Sequence, residues 1–297
     1  MVKNILVLTS GSKKKLRPFE FAAKSLDLAV ITASFEDLEY FSDKNNLYIN
    51  GKDIADFDLI YFRLVGKSLE RASLIANYAL ERRVKLVDRI YEKSHLLPVS
   101  LSKAIEIKKL AGANVSIPKT IFGKIAYIKK SGKNLLGFPF VIKSTSGKKG
   151  REVWSPRTKK ELMDLIKTLK EEEKNGKGFL AQEFINCTKR VRVLIVGGKI
   201  IGSISQLTKW RKRVSGYKPQ EDEKKINKFN GGKNIDDMAL RAIDAVGLDI
   251  AGVDILVDEV SKKPFVIEVN AAPSWKLLSK YCQINVEKEI LKYLSQL

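Results

Sequence analysis

The chain has 297 residues, 44% of them hydrophobic, a content that predicts a globular protein with two or three subdomains. Two cysteines and a single histidine, His95, argue against a disulfide framework, a His–Cys zinc site and catalysis by a Ser–His or Cys–His pair. The sequence shows no signal peptide and no apolar run that could span a membrane, so we expect a cytoplasmic protein without a membrane partner.

The strongest bias in the composition is positive charge. Lysine and arginine total 55 against 34 acidic residues, which gives a formal net charge of +21. Such a charge favours a polyanionic partner, either nucleic acid or an acidic peptide. The lysines are spread from Lys13 to Lys292, however, which equally fits a lysine-rich surface without a specific partner. Charge alone leaves both interpretations open.

Strands and helices alternate in the first third of the chain. Apolar runs predict strands at residues 3–9, 28–33, 58–63 and 84–87, with helices at 17–26 and 69–82. This alternation predicts an open α/β layer. No G-x-G-x-x-G motif follows the first strand, so a dinucleotide-binding role would lack its phosphate loop.

From about residue 96 the order of predicted elements changes. Strands are predicted at 138–143, 152–154, 179–185, 191–196 and 199–206, and helices at 101–110, at 238–246 and after residue 158. Thr158 with Glu161 forms a capping box that opens the last of these helices. Gly197-Gly198 is predicted to form the hairpin turn between the strands at 191–196 and 199–206. Gly247 is predicted to end the helix at 238–246.

A second hairpin carries the most informative polar residues. Two apolar runs, 250–257 and 264–269, are joined by a polar turn, and Asp254 lies in the first run. Glu268 and Asn270, at the end of the second, are two residues apart and therefore point to the same face. Two carboxylates and an amide oxygen predict a Mg²⁺ site. The alternative is a hairpin whose polar residues face water.

A nucleotide site is predicted without a Walker motif, which the sequence lacks. Lys143 ends an apolar strand, and a loop with Gly147 and Gly150 follows, so that backbone N–H groups can approach phosphate oxygens. Lys103 lies upstream near the start of a helix. Glu183 lies near a strand end and could meet an adenine or ribose. Each element alone is more often structural, and it is their order that favours the nucleotide site.

The order and spacing of these motifs resemble ATP-grasp enzymes, specifically the RimK-like branch with its ribosomal-protein glutamate ligases, and the related glutathione synthetases. The similarity covers nearly the whole chain. Lys103 resembles the first ATP lysine of the family, and FPFVIKSTSGKKG (138–150) its second lysine and glycine-rich loop. Further matches are FDLIYFRLVG with Arg63, AQEFI with Glu183 and Phe184, VRVLIVGGK with Arg192, NKFNGG with Asn227, and the GVDIL…IEVNAAP hairpin.

This resemblance implies an ATP-grasp fold of α/β and α+β class, with an N-terminal α/β domain at 1–95, a central subdomain at 96–177 and a C-terminal subdomain at 178–297. ATP would lie between the last two. The implied nucleotide-binding residues are Lys103, Lys143, Gly147, Gly150, Glu183 and Phe184. Two Mg²⁺ ions, with Mn²⁺ as the alternative, would be held by Asp254, Glu268 and Asn270.

The implied reaction joins a carboxylate to an amine through an acyl phosphate, with release of ADP and phosphate. Arg192 and Asn227 would position the transferred phosphate. Lys225 stands where the family usually has an arginine, so Arg211 or Arg213 would be the substitute if lysine fails. The acid expected before Arg192 for the ribose is missing. Arg63, Arg211 and Arg213 are the implied substrate-binding residues.

The implied substrates are an amino acid such as glutamate and an acidic small-molecule or peptide acceptor. Two alternatives remain beside this ligase. One is a small-molecule kinase of the inositol-polyphosphate type on the same fold. The other is a nucleic-acid-binding protein with a weak or disabled nucleotide site, which no RNA-binding motif supports. The sequence leaves open whether the protein forms a homo-oligomer.

Overall fold

The computed structural model describes residues 3–43, 45–92, 102–145, 152–208 and 225–297. Its first part is built on a parallel sheet of order β2-β1-β6-β7 with a small antiparallel sheet β3-β4-β5 beside it. The elements are β1 (Asn4–Thr9), α1 (Arg17–Leu26), β2 (Ala29–Ser34), β3 (Leu38–Phe41), β4 (Asn46–Ile49), β5 (Lys52–Asp53), β6 (Leu59–Leu64), α2 (Leu69–Glu81) and β7 (Lys85–Val87). The predicted α/β layer is thus confirmed.

The second part contains an antiparallel sheet of order β10-β9-β11-β8, with two helices packed on it. Its elements are α3 (Lys103–Gly112), β8 (Thr120–Phe122), α4 (Ile125–Leu136), β9 (Phe140–Ser144), β10 (Val153–Trp154), α5 (Lys159–Lys174) and β11 (Phe179–Glu183). Thr158 accepts the N–H of Glu161 and so caps α5 as predicted. The second half of the predicted capping box is wrong, because the Glu161 carboxylate accepts the N–H of Arg157 instead of that of Thr158.

The third part is an antiparallel sheet of order β14-β13-β12-β15-β16. Its elements are β12 (Lys189–Val196), β13 (Lys199–Leu207), β14 (Asn227–Lys228), α6 (Lys233–Val246), β15 (Ile250–Val257), β16 (Pro264–Asn270), α7 (Lys276–Cys282) and α8 (Val286–Gln296). Gly197 and Gly198 both have positive φ, at 55° and 73°, as the two-residue hairpin between β12 and β13 requires. Both predicted hairpins are confirmed.

The sheets are held by apolar side chains that alternate between their faces. On β1, Ile5 and Val7 pack with α1, α7 and α8, whereas Leu6 and Leu8 pack towards α2. A strand buried on both faces has the continuous apolar run seen in the sequence. Helix α3, which falls in the predicted central subdomain, packs on α6 and β16 of the third part. Strand β11, which falls in the predicted C-terminal subdomain, belongs to the second sheet. The domain limits 1–95, 96–177 and 178–297 stay predictions.

A buried carboxylate joins the first and third parts. Asp88, directly after β7, accepts the N–H groups of Asp249 and Ile250 at 2.7 and 2.9 Å. The neighbouring Arg89 binds the Asp249 side chain through its backbone N–H and its guanidinium group. These bonds fix the parallel sheet to the start of β15. Within the described ranges no helix has the length and apolar character needed to cross a membrane.

Candidate functional site

A cavity of about 550 Å³ lies between the second and third sheets and receives side chains from both, and from α3. Six residues predicted for the site line it: Lys103, Lys143, Glu183, Arg192, Glu268 and Asn270. Five further polar side chains, from Glu106, Gln182, Arg190, Gln206 and Ser274, complete the polar part of the wall. The apolar part includes Val141, Leu180, Ile185, Leu256 and Ile267. The cavity thus combines an apolar slot with a strongly charged region.

The two predicted ATP lysines converge at the end of β9. Lys143 Nζ donates to Gln182 Oε1 at 2.6 Å, and Lys103 Nζ donates to the Ser144 carbonyl at 3.2 Å. Lys103 opens α3, whose N-cap is the Ser102 hydroxyl. Burial lowers the pKa of Lys143 to about 8. Two cations close to a helix N-terminus form an anion-binding region suited to phosphate.

Glu183 ends β11 and contributes to the same wall. Its Oε1 accepts the N–H of Lys119 at 2.8 Å, so one carboxylate oxygen already has a partner in the protein. Ile185 and Leu256, which belong to one apolar cluster, also line the cavity and offer apolar surface. A flat heterocyclic base fits such a slot, because apolar contact and a few edge hydrogen bonds suffice to hold it.

Arg192, Asp254 and Glu268 form a row across three neighbouring strands, since Arg192 pairs with Asp254 and Asp254 with Glu268 in the sheet register. Arg192 binds both oxygens of Asp254, with Nε–Oδ1 and Nη2–Oδ2 distances of 2.7 Å. Arg190 Nη1 donates to Oδ2 at 3.0 Å. With its amide oxygen turned towards Arg190, Gln206 accepts two further bonds from that guanidinium group. The Asp254 side chain therefore fixes two arginines while fully buried.

The oxygens of Asp254, Glu268 and Asn270 are of the type that binds a hard cation, but the three side chains differ in their position relative to the cavity. Glu268 and Asn270 face the cavity from one side of β16, as the i, i+2 spacing predicts. Asp254 lies beside Glu268 but is not part of the cavity wall among the described residues, and its oxygens accept from arginines. Carboxylate and amide oxygens are the ligands that Mg²⁺ prefers. Glu268 and Asn270 could therefore hold such an ion, with Asp254 beside Glu268 on the neighbouring strand.

Glu106 is a member of the wall that the sequence interpretation missed. Only 5% of its surface is exposed, and Oε1 accepts the N–H of Val269 at 2.6 Å. Burial raises the pKa of Glu106 to about 8, against the lowering effect of that hydrogen bond and of Lys143 and Lys103. The signal was present in the sequence, because Glu106 follows Lys103 by three residues and so shares its helix face.

Arg63 lies outside the cavity wall and fastens β6 to the segment after Asn270. Its Nη2 donates to the Pro273 carbonyl at 2.8 Å, and its guanidinium carbon lies 3.7 Å from the centre of the Trp275 ring. Trp275 in turn donates from Nε1 to Glu287 at 2.7 Å. The predicted substrate role of Arg63 stays a prediction, and its observed contacts are structural.

Three further predicted residues that the structure describes, Lys225, Asn227 and Phe184, do not line the cavity. Asn227 lies in the short edge strand β14, opposite Ser205, and both Asn227 and Lys225 are exposed. Phe184 follows β11 without lining the cavity. Gly147, Gly150, Arg211 and Arg213 lie outside the described residues.

The fold is that of the ATP-grasp ligases. The ligase PsnB complexed with a minimal precursor superposes with a TM-score of 0.73 over 100% of both chains at 14% identity. D-alanine–D-alanine ligase from Bacillus anthracis, complexed with ATP, gives a TM-score of 0.65 over 99% of this chain and 97% of its own at 17% identity. At such identities the superpositions establish the fold alone.

The chain belongs to the RimK-like ATP-grasp family, whose domain model matches residues 101–294. A probable alpha-L-glutamate ligase of Mannheimia succiniciproducens is 27% identical over 65% of the chain and 63% of its own length. A second one, from Syntrophotalea carbinolica, is 26% identical over 86% of the chain and 82% of its own length. The human N-acetylaspartylglutamate synthase A is 26% identical over 84% of the chain. The chain spans just under two thirds, 63%, of that human protein.

These similarities confirm the predicted family and fold. The curated relatives also support the predicted reaction class, ATP-dependent ligation of a carboxylate to an amine, since their names are those of ligases. Two further structures of PsnB are similar to this chain, one complexed with a minimal precursor, Mg and ADP and the other with a precursor peptide and AMPPNP.

Proposed function

We propose that this protein is an ATP- and Mg²⁺-dependent ligase that joins the amino group of an amino acid, such as glutamate, to the carboxylate of an acidic acceptor. The observation that carries the proposal is the convergence in one cavity of two lysines, two arginines and the Glu268–Asn270 pair. Each of these groups has a use in phosphoryl transfer, where catalysis consists mainly of positioning and charge stabilisation.

The nucleotide would enter with its base in the apolar slot and its phosphates at the lysines. Lys103 and Lys143 would neutralise the phosphate oxygens, and Glu183 at the strand end would meet the base or the ribose. Glu268 and Asn270 would hold two Mg²⁺ ions, with Asp254 beside Glu268 on the neighbouring strand. Bound Mg²⁺ would share the charge that develops on the transferred phosphate.

A carboxylate oxygen of the acceptor would attack the γ-phosphorus, so that ADP leaves and an acyl phosphate remains. The amine would then displace phosphate from the carbonyl carbon and lose a proton, which leaves an amide. Arg192 and Arg190 line the cavity with their guanidinium groups held by Asp254, and such preoriented cations stabilise developing negative charge. Asn227 and Lys225 are the further residues that we assign to this step from the resemblance.

The identity of the substrates rests on the relatives and on charge. Glutamate appears in the names of the matched ligases and of N-acetylaspartylglutamate synthase A. The net charge of +21 favours an acceptor with more than one carboxylate, for which Arg63, Arg211 and Arg213 are the assigned contacts. A cytoplasmic location fits an enzyme that consumes ATP and stays a prediction from the sequence.

A two-dimensional screen tests the proposal. Each amino acid is combined with acidic acceptors, both free dicarboxylates and glutamate-rich peptides, and ADP and phosphate are measured with the product mass. We expect equal amounts of ADP and phosphate that appear only when both substrates are present, and a product heavier by one amino acid less water. ADP formed without free phosphate, together with an acceptor heavier by one phosphate, would instead establish the kinase.

A further inference from the structure

Glu106 is a buried carboxyl group that the proposed reaction does not use. It lines the cavity beside Lys103 and Lys143, where a negatively charged nucleotide would bind. A carboxyl group in such a place gives a bound phosphate no attractive charge, so its presence calls for another role. Its hydrogen bond to β16 indicates that role.

The bond meets a structural need of the edge strand. β16 is the outermost strand of the third sheet, so the N–H groups on its outer side have no partner strand. Where such an N–H group is buried, it requires an acceptor from elsewhere in the protein. Helix α3 supplies it across 163 positions of sequence, since Glu106 Oε1 accepts the Val269 N–H at 2.6 Å. Three residues earlier on the strand, Val266 donates in the same way to the Ser116 carbonyl. The chain around α3 therefore closes this edge.

The position of the bond links it to the metal ligands. Val269 stands between Glu268 and Asn270, whose side chains both face the cavity. An acceptor that fixes the nitrogen of residue 269 restrains the peptide planes on either side, and with them the distance and direction of the two ligand side chains. Partners of this kind, one step removed from a metal, orient the ligands, and their loss commonly costs 10–100-fold in metal affinity.

We propose that Glu106 is a positioning residue for the Mg²⁺ site, and that its hydrogen bond to the Val269 N–H holds Glu268 and Asn270 at the spacing that the ion requires. The inference rests on the proposed function, because it assumes that the cavity binds a nucleotide with Mg²⁺. It assigns the role to the reach of the side chain and its acceptor oxygen. A neutral acceptor of the same length therefore suffices.

Three substitutions separate reach from charge. Glu106→Gln keeps the length and an acceptor oxygen but cannot ionise, whereas Glu106→Asp keeps the ionisable carboxyl group and shortens the side chain by one methylene. Glu106→Ala removes both. Glu173→Ala is the matched control, because Glu173 Oε1 also accepts a backbone N–H, that of Ile125 at 2.8 Å, and does not line the cavity.

The measurement is ADP binding by titration calorimetry, first without divalent ions and then over a range of Mg²⁺ concentrations. We expect Glu106→Ala and Glu106→Asp to raise the Mg²⁺ concentration for half of the Mg²⁺-dependent gain by at least about 10-fold. ADP affinity without Mg²⁺ should stay within about 2-fold of the parent, and the Gln and Glu173 variants should match the parent in both quantities. Circular dichroism establishes that each variant is folded, and the Asp–Gln pair decides the question if the Ala variant is not.

An unchanged Mg²⁺ requirement in Glu106→Asp would overturn the inference. A Gln variant impaired as strongly as Asp would also overturn it, because a neutral acceptor of the same length would then not suffice. An equal loss of ADP affinity with and without Mg²⁺ would also overturn it, because the cavity as a whole would be disturbed. A parent that binds no ADP with Mg²⁺ would overturn the proposed function itself, an outcome distinct from the other three.

Discussion

Arg192 and Asp254 face each other across β12 and β15, and two hydrogen bonds of 2.7 Å join the guanidinium group to the carboxylate. The carboxylate is fully buried and also accepts from Arg190 at 3.0 Å. One anion thus holds two cations at the wall of the cavity. If one partner of such a buried ion pair is removed, the other charge stays buried without compensation. The resulting loss of folding stability is larger than the net stabilisation that the intact pair provides.

We predict that Asp254→Asn lowers the free energy of unfolding by about 3 kcal/mol, because two arginines lose their charged partner. Urea denaturation of parent and variant measures this difference. Asp164→Asn is the control, since Asp164 pairs with Lys167 on the exposed surface of α5 and should change stability by less than about 0.5 kcal/mol. Equal stability of Asp254→Asn and the parent would show that the arginines do not depend on this carboxylate.

The metal-site prediction concerns Glu268 and Asn270. Glu268→Gln and Asn270→Ala should remove most of the gain in ADP affinity that Mg²⁺ provides. The first replaces a charged carboxylate that faces the cavity by a neutral amide, and the second deletes an amide oxygen. Thermal unfolding should be nearly unchanged. Glu171→Gln, at an exposed position on α5, serves as the control. A folded protein with both substitutions that keeps the full Mg²⁺-dependent gain in ADP affinity would mean that the hairpin is not the metal site.

The pKa of Lys143 predicts a pH dependence of nucleotide affinity. Burial lowers this pKa to about 8, and phosphate binding requires the charged form, so affinity should fall as the pH rises through 8. Calorimetric titrations of ADP from pH 7.5 to 9.5 measure the fall. Lys143→Arg stays charged throughout this range and should show a flatter profile. If the Arg variant loses affinity as steeply as the parent, another group is responsible.

Asp88 predicts a pH dependence of stability. Burial raises the pKa of Asp88 from 3.8 to about 7 in the folded protein, which therefore binds this proton more tightly than the unfolded chain does. The stability that the proton contributes is complete below about pH 4 and is lost as the pH rises towards 7, by at most about 1.4 kcal/mol per pH unit. Asp88→Asn should lack this component, so the parent should lose stability relative to the variant between pH 5 and 7. Parallel stability curves for the two proteins would contradict the assignment.

Local patterns carried most of the fold prediction. Runs of apolar residues placed the strands of the first sheet within one or two positions, and Gly197-Gly198 located a hairpin turn because few residues adopt positive φ. The β3-β4-β5 sheet was not predicted, since its strands have four residues or fewer and show no clear period. Helices α7 and α8 were also not predicted, although Val286, Ile290 and Leu294 follow a helical spacing.

The sequence predicted those features of the site that depend on residues close together in the chain. The spacing of Glu268 and Asn270 alone places both side chains on one face of a strand. The arginine contacts of Asp254 depend on the register between strands 62 residues apart, and the contact of Glu106 with Val269 spans 163 residues. Such pairings are set by the packing of whole sheets. The sequence therefore indicated which residues carry charge, but the partner of each charge required the structure.

The transfer of oxygen from the acceptor to phosphate tests the central claim most directly. An acidic acceptor with both carboxylate oxygens replaced by ¹⁸O is incubated with ATP, Mg²⁺ and the amino acid that it accepts, and the released phosphate is analysed by mass spectrometry. The account predicts one ¹⁸O atom in each phosphate and one in the new amide, because the attacking carboxylate oxygen leaves with the phosphorus. Phosphate without ¹⁸O would mean that water attacks ATP, and would contradict a ligase that activates its acceptor through an acyl phosphate.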